Sequence, residues 1–275
     1  MVSWDFIQQV GPFRWALRYG TLQFRKRVLK RDSELSLPTG AKIMLPRQSQ
    51  NATEIYVTKA DTDWGAETIF VQFADPERDF FDIGSHIGYY SAYFAPRVRC
   101  AYAFEPDPRN LPALRENASL GKNIEVIEMA VSSHDGYADF FLAASSAGSS
   151  FRSNGGQVLK VIMTTVDTFV AEHPGVDVGL IKTDVEGHDL EVLRGMDQTV
   201  AKFQPLILTE CELSIELANL CSRWKYRLFS NVRDRRTHKM QFRELNRNNT
   251  GQYWSKMLFL VPVVLQPAFA KLTES

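Results

Sequence analysis

Between Asp79 and Ser91 the chain reads DFFDIGSHIGYYS, an apolar run that stops at Asp-Ile-Gly and resumes, past a second glycine, in a helix-forming stretch. An apolar run bounded in this way is a buried strand followed by a tight return into a helix. The feature constrains the fold because the unit repeats at once: FFDI, a helix through YYSAYFA, the strand CAYAF, and a helix from Pro108 to about Leu120. Two successive strand-helix units predict a parallel sheet with helices on its faces. Beyond them IEVIEMAV, LKVIMTTV and VGLIKTD read as strands, LILTE as a fifth core strand, and Tyr137 to Leu142 as part of a hairpin. Helices are expected near Asp167–Glu172 and over Glu212–Trp224. YRLFSNV and then MLFLVPVV close the sheet, the latter as a final buried strand.

Ahead of this pattern, residues 1 to about 31 alternate aromatic and basic positions, which predicts an amphipathic lead-in helix. Its expected role is packing on the domain or on a partner subunit, and the other reading is attachment to a membrane surface or an acidic partner. From Leu35 to Phe73 the segments LSLP, AKIMLP and EIYVTKA read as short strands, followed by a helix over Ala66–Phe73. Residues 1–75 are therefore expected to form a lead-in helix and a small subdomain, and residues 76–275 the main α/β domain.

The chain has 32 basic and 32 acidic residues, so nothing global draws it to nucleic acid or to an anionic membrane, and no nucleic-acid partner is expected. Cys100, Cys211 and Cys221 lack metal-ligand spacing and suit reduced thiols. Asp5, Gln8, Gln9 and Arg14 interrupt any signal-peptide core, and the nine residues MLFLVPVVL fall short of the roughly 20 that span a bilayer. A cytoplasmic protein without a transmembrane segment is expected; oligomeric state is not readable. Two further segments carry paired readings. Ala143–Gly156, rich in Gly and Ser, is a surface linker or a lid, and the basic run Arg233–Lys239 is a solvated hairpin tip or a contact for an anionic acceptor.

The glycine turn leaves room for a ligand: Gly84 can take positive φ and let the backbone come close, and Gly88 eases the return into the helix. Asp82, at the strand's carboxyl end, can meet the amino group of a bound methionine moiety. CAYAF ends in Glu105, 23 residues after Asp82, where a carboxylate can accept hydrogen bonds from two vicinal ribose hydroxyls. Pro106 follows, and Asp107 is expected to cap a helix that has Pro108 at its first position. Met129, Ala130, Val131 and Ser132 end the next strand, where backbone groups and a small side chain can recognise an adenine edge.

These residues resemble the FkbM family of methyltransferases, most closely along Phe80 to Glu210. FDIGSHIGYYSAYFA is similar to the family's Asp-x-Gly-Ala-Asn-x-Gly opening, FEPDPRNLPALREN to its ribose segment, AVSSHDG to its adenine segment, and LIKTDVEGHDLEVLRGM to its most characteristic element. The resemblance implies a Rossmann-like sheet of seven strands with the last antiparallel and helices on both faces. It implies O-methylation from S-adenosyl-L-methionine, with a sugar or glycosylated small molecule supplying the free hydroxyl. The implied cofactor contacts are Asp82, Gly84, Ser85, His86 and Gly88, then Glu105, Pro106 and Asp107, then Ala130, Val131 and Ser132, with Asp184. Ser85 and His86 stand where Ala-Asn is usual; a histidine can still hydrogen-bond the cofactor or a neighbouring loop, but a contact specific to the asparagine amide is not carried over.

Methyl transfer from a sulfonium needs an aligned acceptor oxygen and a group to take its proton. Lys182, Asp184, Glu186 and His188 lie at and beyond the end of VGLIKTD, the edge at which α/β sheets bind ligands. Asp184 is the expected base or acceptor anchor. His188 is its rival, because imidazole titrates near neutrality. Lys182 is expected to pair with a carboxylate, and Glu186 to cap the following helix. Asp184, Glu186 and Glu210 are the one set that could surround a divalent cation such as Mg²⁺, although no metal is expected. Two other readings compete. A nicotinamide-dependent oxidoreductase shares the strand, glycine turn and distal acid but requires the full Gly-x-Gly-x-x-Gly and leaves IKTDVEGH unexplained. A catalytically silent module that binds a glycan or scaffolds a partner does not explain intact Asp82, Glu105 and Asp184.

Overall fold

A computed structural model describes residues 7, 9–49, 51–143, 150–151, 157–246 and 249–274. Helix α1 (Pro12–Arg27) leads to the hairpin β1 (Ser33–Ser36) and β2 (Lys42–Leu45), then to α2 (Asn51–Thr58) and α3 (Ala66–Phe70), which a 3-10 turn prolongs over Val71–Phe73. The alternation follows: β3 (Asp79–Ile83), α4 (Tyr89–Phe94), β4 (Ala101–Phe104), α5 (Leu111–Leu120) and β5 (Ile124–Ile127). Next come β6 (Ala130–Val131), β7 (Gly136–Leu142), β8 (Gln157–Thr164), α6 (Val166–Glu172), β9 (Val178–Thr183), α7 (Asp189–Arg194), α8 (Asp197–Phe203) and β10 (Leu206–Thr209). The chain finishes with α9 (Ile215–Trp224), β11 (Arg227–Asp234), β12 (Met240–Leu245), β13 (Tyr253–Ser255), β14 (Leu258–Val261) and α10 (Gln266–Leu272).

The main sheet runs β12-β11-β14-β10-β9-β3-β4-β5, with β13 also paired to β11. From β5 to β10 its strands are parallel, whereas β14 inserts antiparallel between β10 and β11. The Rossmann-like core of seven strands with its last one antiparallel is thus present, and β12 and β13 extend it to nine. The chain builds outward from β3 in one direction and returns at β9 to build in the other. The resulting topological switch opens a crevice beyond the carboxyl ends of β3 and β9.

All five residues of β3 are buried, as a central parallel strand requires. Alternation sends Phe80 to one face, against Phe70 and Phe94, and Phe81 to the other, against Tyr102, Phe104 and Phe169. Leu22, Ile43, Leu45, Ile55 and Phe70 join the Phe80 cluster, so the N-terminal elements and the sheet share one core.

Several sequence expectations are corrected. EIYVTKA is not a strand: it falls largely in α2, in which Ala52 and the consecutive Ile55, Tyr56, Val57 and Thr58 are buried, and tertiary burial overrides the strand preference of Ile-Tyr-Val-Thr. IEVIEMAV breaks into β5 and β6, and β6 leaves the main sheet to form a smaller one, β6-β8-β7. The helix expected from Pro108 begins at Leu111 with Asn110 as its N-cap, so Asp107 does not cap it. MLFLVPVV is a strand only as far as Val261, and Val263 and Val264 are exposed. Most of the expected linker or lid, residues 144–149 and 152–156, lies outside the described residues. All three cysteines are free, and among the described residues no helix is long and apolar enough to cross a membrane.

Candidate active site

Strand register assembles the site. Asp82 pairs with Lys182 across β3 and β9, and Lys182 with Leu208 across β9 and β10, so the charged residues collect at one edge. Backbone bonds continue past the strand ends: Gly84 N donates to Phe104 O at 3.0 Å, Asp184 N to Ile83 O at 3.1 Å, and Glu210 N to Thr183 O at 3.1 Å. Gly84 sits at φ 78°, and a Cβ there would lie 2.0 Å from the Asp184 carbonyl oxygen. Glycine is the residue that lets the two strand ends meet.

Two adjoining lobes open at this edge. The first is bounded by Phe104, Glu105, Pro106, Ala130, Val131 and Phe151. The second is more polar and is bounded by Asp63, Asp82, Tyr90, Lys182, Glu210 and Lys256. Asn51, Gly84, His86, Asp184 and Glu186 line both.

Glu105 is buried, and its two oxygens accept from His86 N at 2.7 Å and Asp107 N at 2.8 Å. Burial pushes its pKa up to about 7, against the hydrogen bonds from Asp107, His86 and the Asn110 side chain. His86 holds a left-handed φ of 52°, a conformation that asparagine and histidine tolerate better than most residues. Burial, reinforced by Lys182, lowers its pKa to about 4, so its ring is neutral near pH 7. The Ser85 hydroxyl is turned inward and donates to Asp82 O at 2.6 Å.

Asp82 Oδ2 accepts from Ser91 N at 2.8 Å and Ser91 Oγ at 2.6 Å. Its Oδ1 is buried with no hydrogen-bond partner and lies 3.9 Å from Lys182 Nζ. Lys182 Nζ sits 3.3 Å from Asp184 Oδ2, donates to Gly84 O at 3.3 Å, and lies over the Tyr90 ring at 5.2 Å. Burial disfavours its charge, but Asp184, Asp82 and Asp63 more than compensate and hold its pKa above the ordinary lysine range. Burial likewise works against Asp184, yet Lys182 and a hydrogen bond from Glu210 keep its carboxyl below the usual range. Burial and the Asp184 charge raise the Glu210 pKa. The Asp184 side chain remains 38% exposed and reachable from the lobes.

The other expected residues are distributed differently. Gly88, at φ 81°, is the N-cap of α4 and borders neither lobe; a Cβ there would lie 2.8 Å from Leu114 Cδ1. Asp107 is buried and accepts from Arg109 N at 2.9 Å and Arg109 Nη2 at 2.7 Å; its backbone, through Glu105, is what serves the site. The Ser132 hydroxyl lies 2.9 Å from His188 Nε2, and Phe151 packs against the His188 ring. His188 borders neither lobe; it lines a further opening shared with Glu186, Glu210 and Lys256, and is the N-cap of α7 without a side-chain capping bond. Glu186 does not cap that helix; it lies two residues earlier, at φ 51°, and borders both lobes. Among the described residues no group of three or more His, Cys, Asp or Glu side chains could hold a metal ion. The basic run is the tip of the β11–β12 hairpin, with Arg233 over the Trp64 ring at 5.1 Å and Arg235 over Trp254 at 5.4 Å.

Sequence reasoning missed the wall contributed by the N-terminal region. Tyr90 Oη donates to Asp63 Oδ2 at 2.7 Å, and Lys256 Nζ donates to Thr62 O at 2.7 Å and lies 3.3 Å from Glu54 Oε1. The one local signal was the turn Asp61-Thr-Asp-Trp-Gly65, in which Asp61 Oδ1 accepts from Gly65 N at 2.6 Å.

Residues 82–243, more than half of the chain, match the methyltransferase FkbM domain. The hexuronic acid methyltransferase AglP of Haloferax volcanii is 25% identical over 224 residues, which cover 71% of this chain and 92% of that protein. Among solved structures, the FkbM methyltransferase of Methylobacillus flagellatus is similar with a TM-score of 0.43 and 14% identity, over 90% of this chain and 59% of that one. The chain thus spans less than two thirds of that structure's length. The Pyrococcus abyssi tRNA (uracil-54, C5)-methyltransferase, in complex with S-adenosyl-L-homocysteine, is similar at a TM-score of 0.40 and 12% identity, over 72% of this chain and 38% of that one.

Proposed function

Because the chain belongs to the FkbM methyltransferase family, and so is an S-adenosylmethionine-dependent methyltransferase, we propose that it methylates a hydroxyl group of a sugar at the junction of the two lobes. The family membership removes the dinucleotide-oxidoreductase alternative. The cofactor, when bound, supplies a methyl group already activated on a sulfonium. The residues fit it: the unpartnered Asp82 Oδ1 is an acceptor for an ammonium group, and Glu105 has lone pairs left for ribose hydroxyls. The first lobe, with Phe104, Ala130 and Val131 on its walls, suits a flat aromatic base.

Asp184 carries the proposal, because it is ionised, accessible and common to both lobes. It accepts a hydrogen bond from the acceptor hydroxyl, aligns that oxygen, and takes its proton as the new ether bond forms. A weak base suffices, since the O–H proton becomes strongly acidic as the oxygen is alkylated. Lys182 keeps Asp184 ionised between turnovers. The sugar class is supported by the hexuronic acid methyltransferase relative and by a second lobe rich in polar and charged side chains.

Calorimetric titration with S-adenosylhomocysteine tests the cofactor reading. Wild type is expected to bind, and Glu105→Ala to bind at least about 100-fold more weakly through the loss of two charge-assisted hydrogen bonds. Asp184→Asn is expected to keep most of the affinity and lose about 10²- to 10⁴-fold in methyl transfer to uronic-acid glycans. Absence of binding by the folded wild type would reject the cofactor site, and methylation of nitrogen acceptors or RNA alone would reject the sugar hydroxyl.

A further inference from the structure

Helix α1 presents to solvent a face that a packed helix normally buries. Phe13, Leu17, Phe24 and Val28 recur at spacings of four, seven and four residues, so they share one side of the helix. They are 81%, 64%, 54% and 62% exposed. The opposite side is the one that packs: Leu22 is fully buried, Arg18 Nη1 donates to Val57 O at 2.6 Å, and Lys26 Nζ donates to Ser49 O and Thr53 Oγ1 at 3.0 Å. These bonds fix α1 on α2 and its surroundings with the apolar stripe outward.

The charge around the stripe is one-sided. Of the 20 residues from Pro12 to Arg31, seven are Arg or Lys and none is acidic, in a chain whose formal charge is zero. Arg14, Arg25, Arg27, Lys30 and Arg31 are exposed alongside the stripe. We propose that α1 docks this protein on an anionic membrane surface, with Phe13, Leu17, Phe24 and Val28 entering the headgroup–acyl boundary and the flanking cations meeting lipid phosphates. An apolar stripe bordered by basic residues is the composition of a helix that lies in the interface plane. A second copy of the chain is disfavoured as occupant because two such segments repel. Nucleic acid would use the cations and leave the phenylalanines and leucine unused. Helix α2, on which α1 rests, supplies Asn51 and Glu54 to the lobes, so a docked α1 holds the site beside the membrane.

Sedimentation of the full chain with vesicles tests it. Wild type is expected to pellet with vesicles containing phosphatidylglycerol and to stay in the supernatant with phosphatidylcholine alone. Combining Phe13→Ser, Leu17→Ser and Phe24→Ser, or separately Arg14→Gln, Arg25→Gln and Arg27→Gln, should each weaken partitioning on the order of 100-fold. Both variants should keep wild-type circular dichroism and S-adenosylhomocysteine affinity, which separates lost docking from lost folding. Failure of wild type to bind anionic vesicles, or undiminished binding by both folded variants, would overturn the proposal. Self-association in lipid-free solution that the serine variant abolishes would overturn it in favour of a second copy.

Discussion

Glu67 is wholly buried, and all its hydrogen bonds fall on one oxygen. Oε1 accepts from Thr62 N and Thr62 Oγ1 at 2.7 Å and from Asp63 N and Tyr89 Oη at 3.1 Å, while Oε2 has no partner. Burial, aided by the negative charge of Asp63, pushes its pKa up to about 8. The folded state therefore binds this proton more tightly than the unfolded chain does. Its contribution is intact below the unfolded pKa, and stability is lost as pH rises toward 8. Glu67→Gln keeps an acceptor for the four donors and cannot ionise. It should match wild type in urea denaturation at pH 5 and exceed it by roughly 3 kcal/mol at pH 8. Parallel curves for the two proteins across that range would show that this carboxyl does not titrate in the window.

Helix α7 and strand β6 meet with no space to spare. Gly195 closes α7, its carbonyl accepts from Asp167 N at 3.0 Å, and a Cβ at this position would lie 2.2 Å from Ser132 O. Ser132 directly follows Ala130 and Val131, which wall the first lobe. Gly195→Ala must push the two elements apart, at about 1–3 kcal/mol, and shift that wall. Thermal melts should show a lower Tm and a smaller stabilisation by S-adenosylhomocysteine; a lowered Tm with full ligand stabilisation would separate the helix from the lobe. This edge was legible in the sequence because buried parallel strands read as unbroken apolar runs, and the acids that end them (Asp82, Glu105, Asp184) stand at the edge that binds ligands. EIYVTKA was not legible, since a short run rich in β-branched residues and buried continuously over Ile55–Thr58 has no periodicity to mark it as a helix. Asp107 failed as a cap because its carboxylate is held by Arg109 while Asn110 starts the helix. The Asp63–Tyr90 contact joins residues 27 apart, and no local pattern encodes such a meeting.

The two ends of the main sheet divide the work. The carboxyl ends of β3 and β9 leave polar groups bordering open lobes, among them the 38% exposed side chain of Asp184, whereas the amino ends are closed by charge pairs. Asp79, at the start of β3, is buried and accepts from Arg99 Nε at 2.8 Å, from Arg99 Nη2, and from Asp177 N at 2.8 Å. Arg78 answers it across the strand ends, donating to Asp177 Oδ1 at 2.9 Å, Val178 O at 2.6 Å and Phe203 O at 2.9 Å. Donors at this end are thus spent on holding β3, β4 and β9 in register. Asp79→Ala leaves the Asp177 N–H and the Arg99 guanidinium without this acceptor. Since Arg99 is 42% exposed and can turn to water, the cost should be about 2–3 kcal/mol, below that of breaking a fully buried pair. Affinity for S-adenosylhomocysteine at the far end should stay within about twofold, because separated sites act nearly additively. If affinity fell along with stability, the strands would be transmitting register shifts from one end to the other, and the site would depend on the whole sheet rather than on its carboxyl edge.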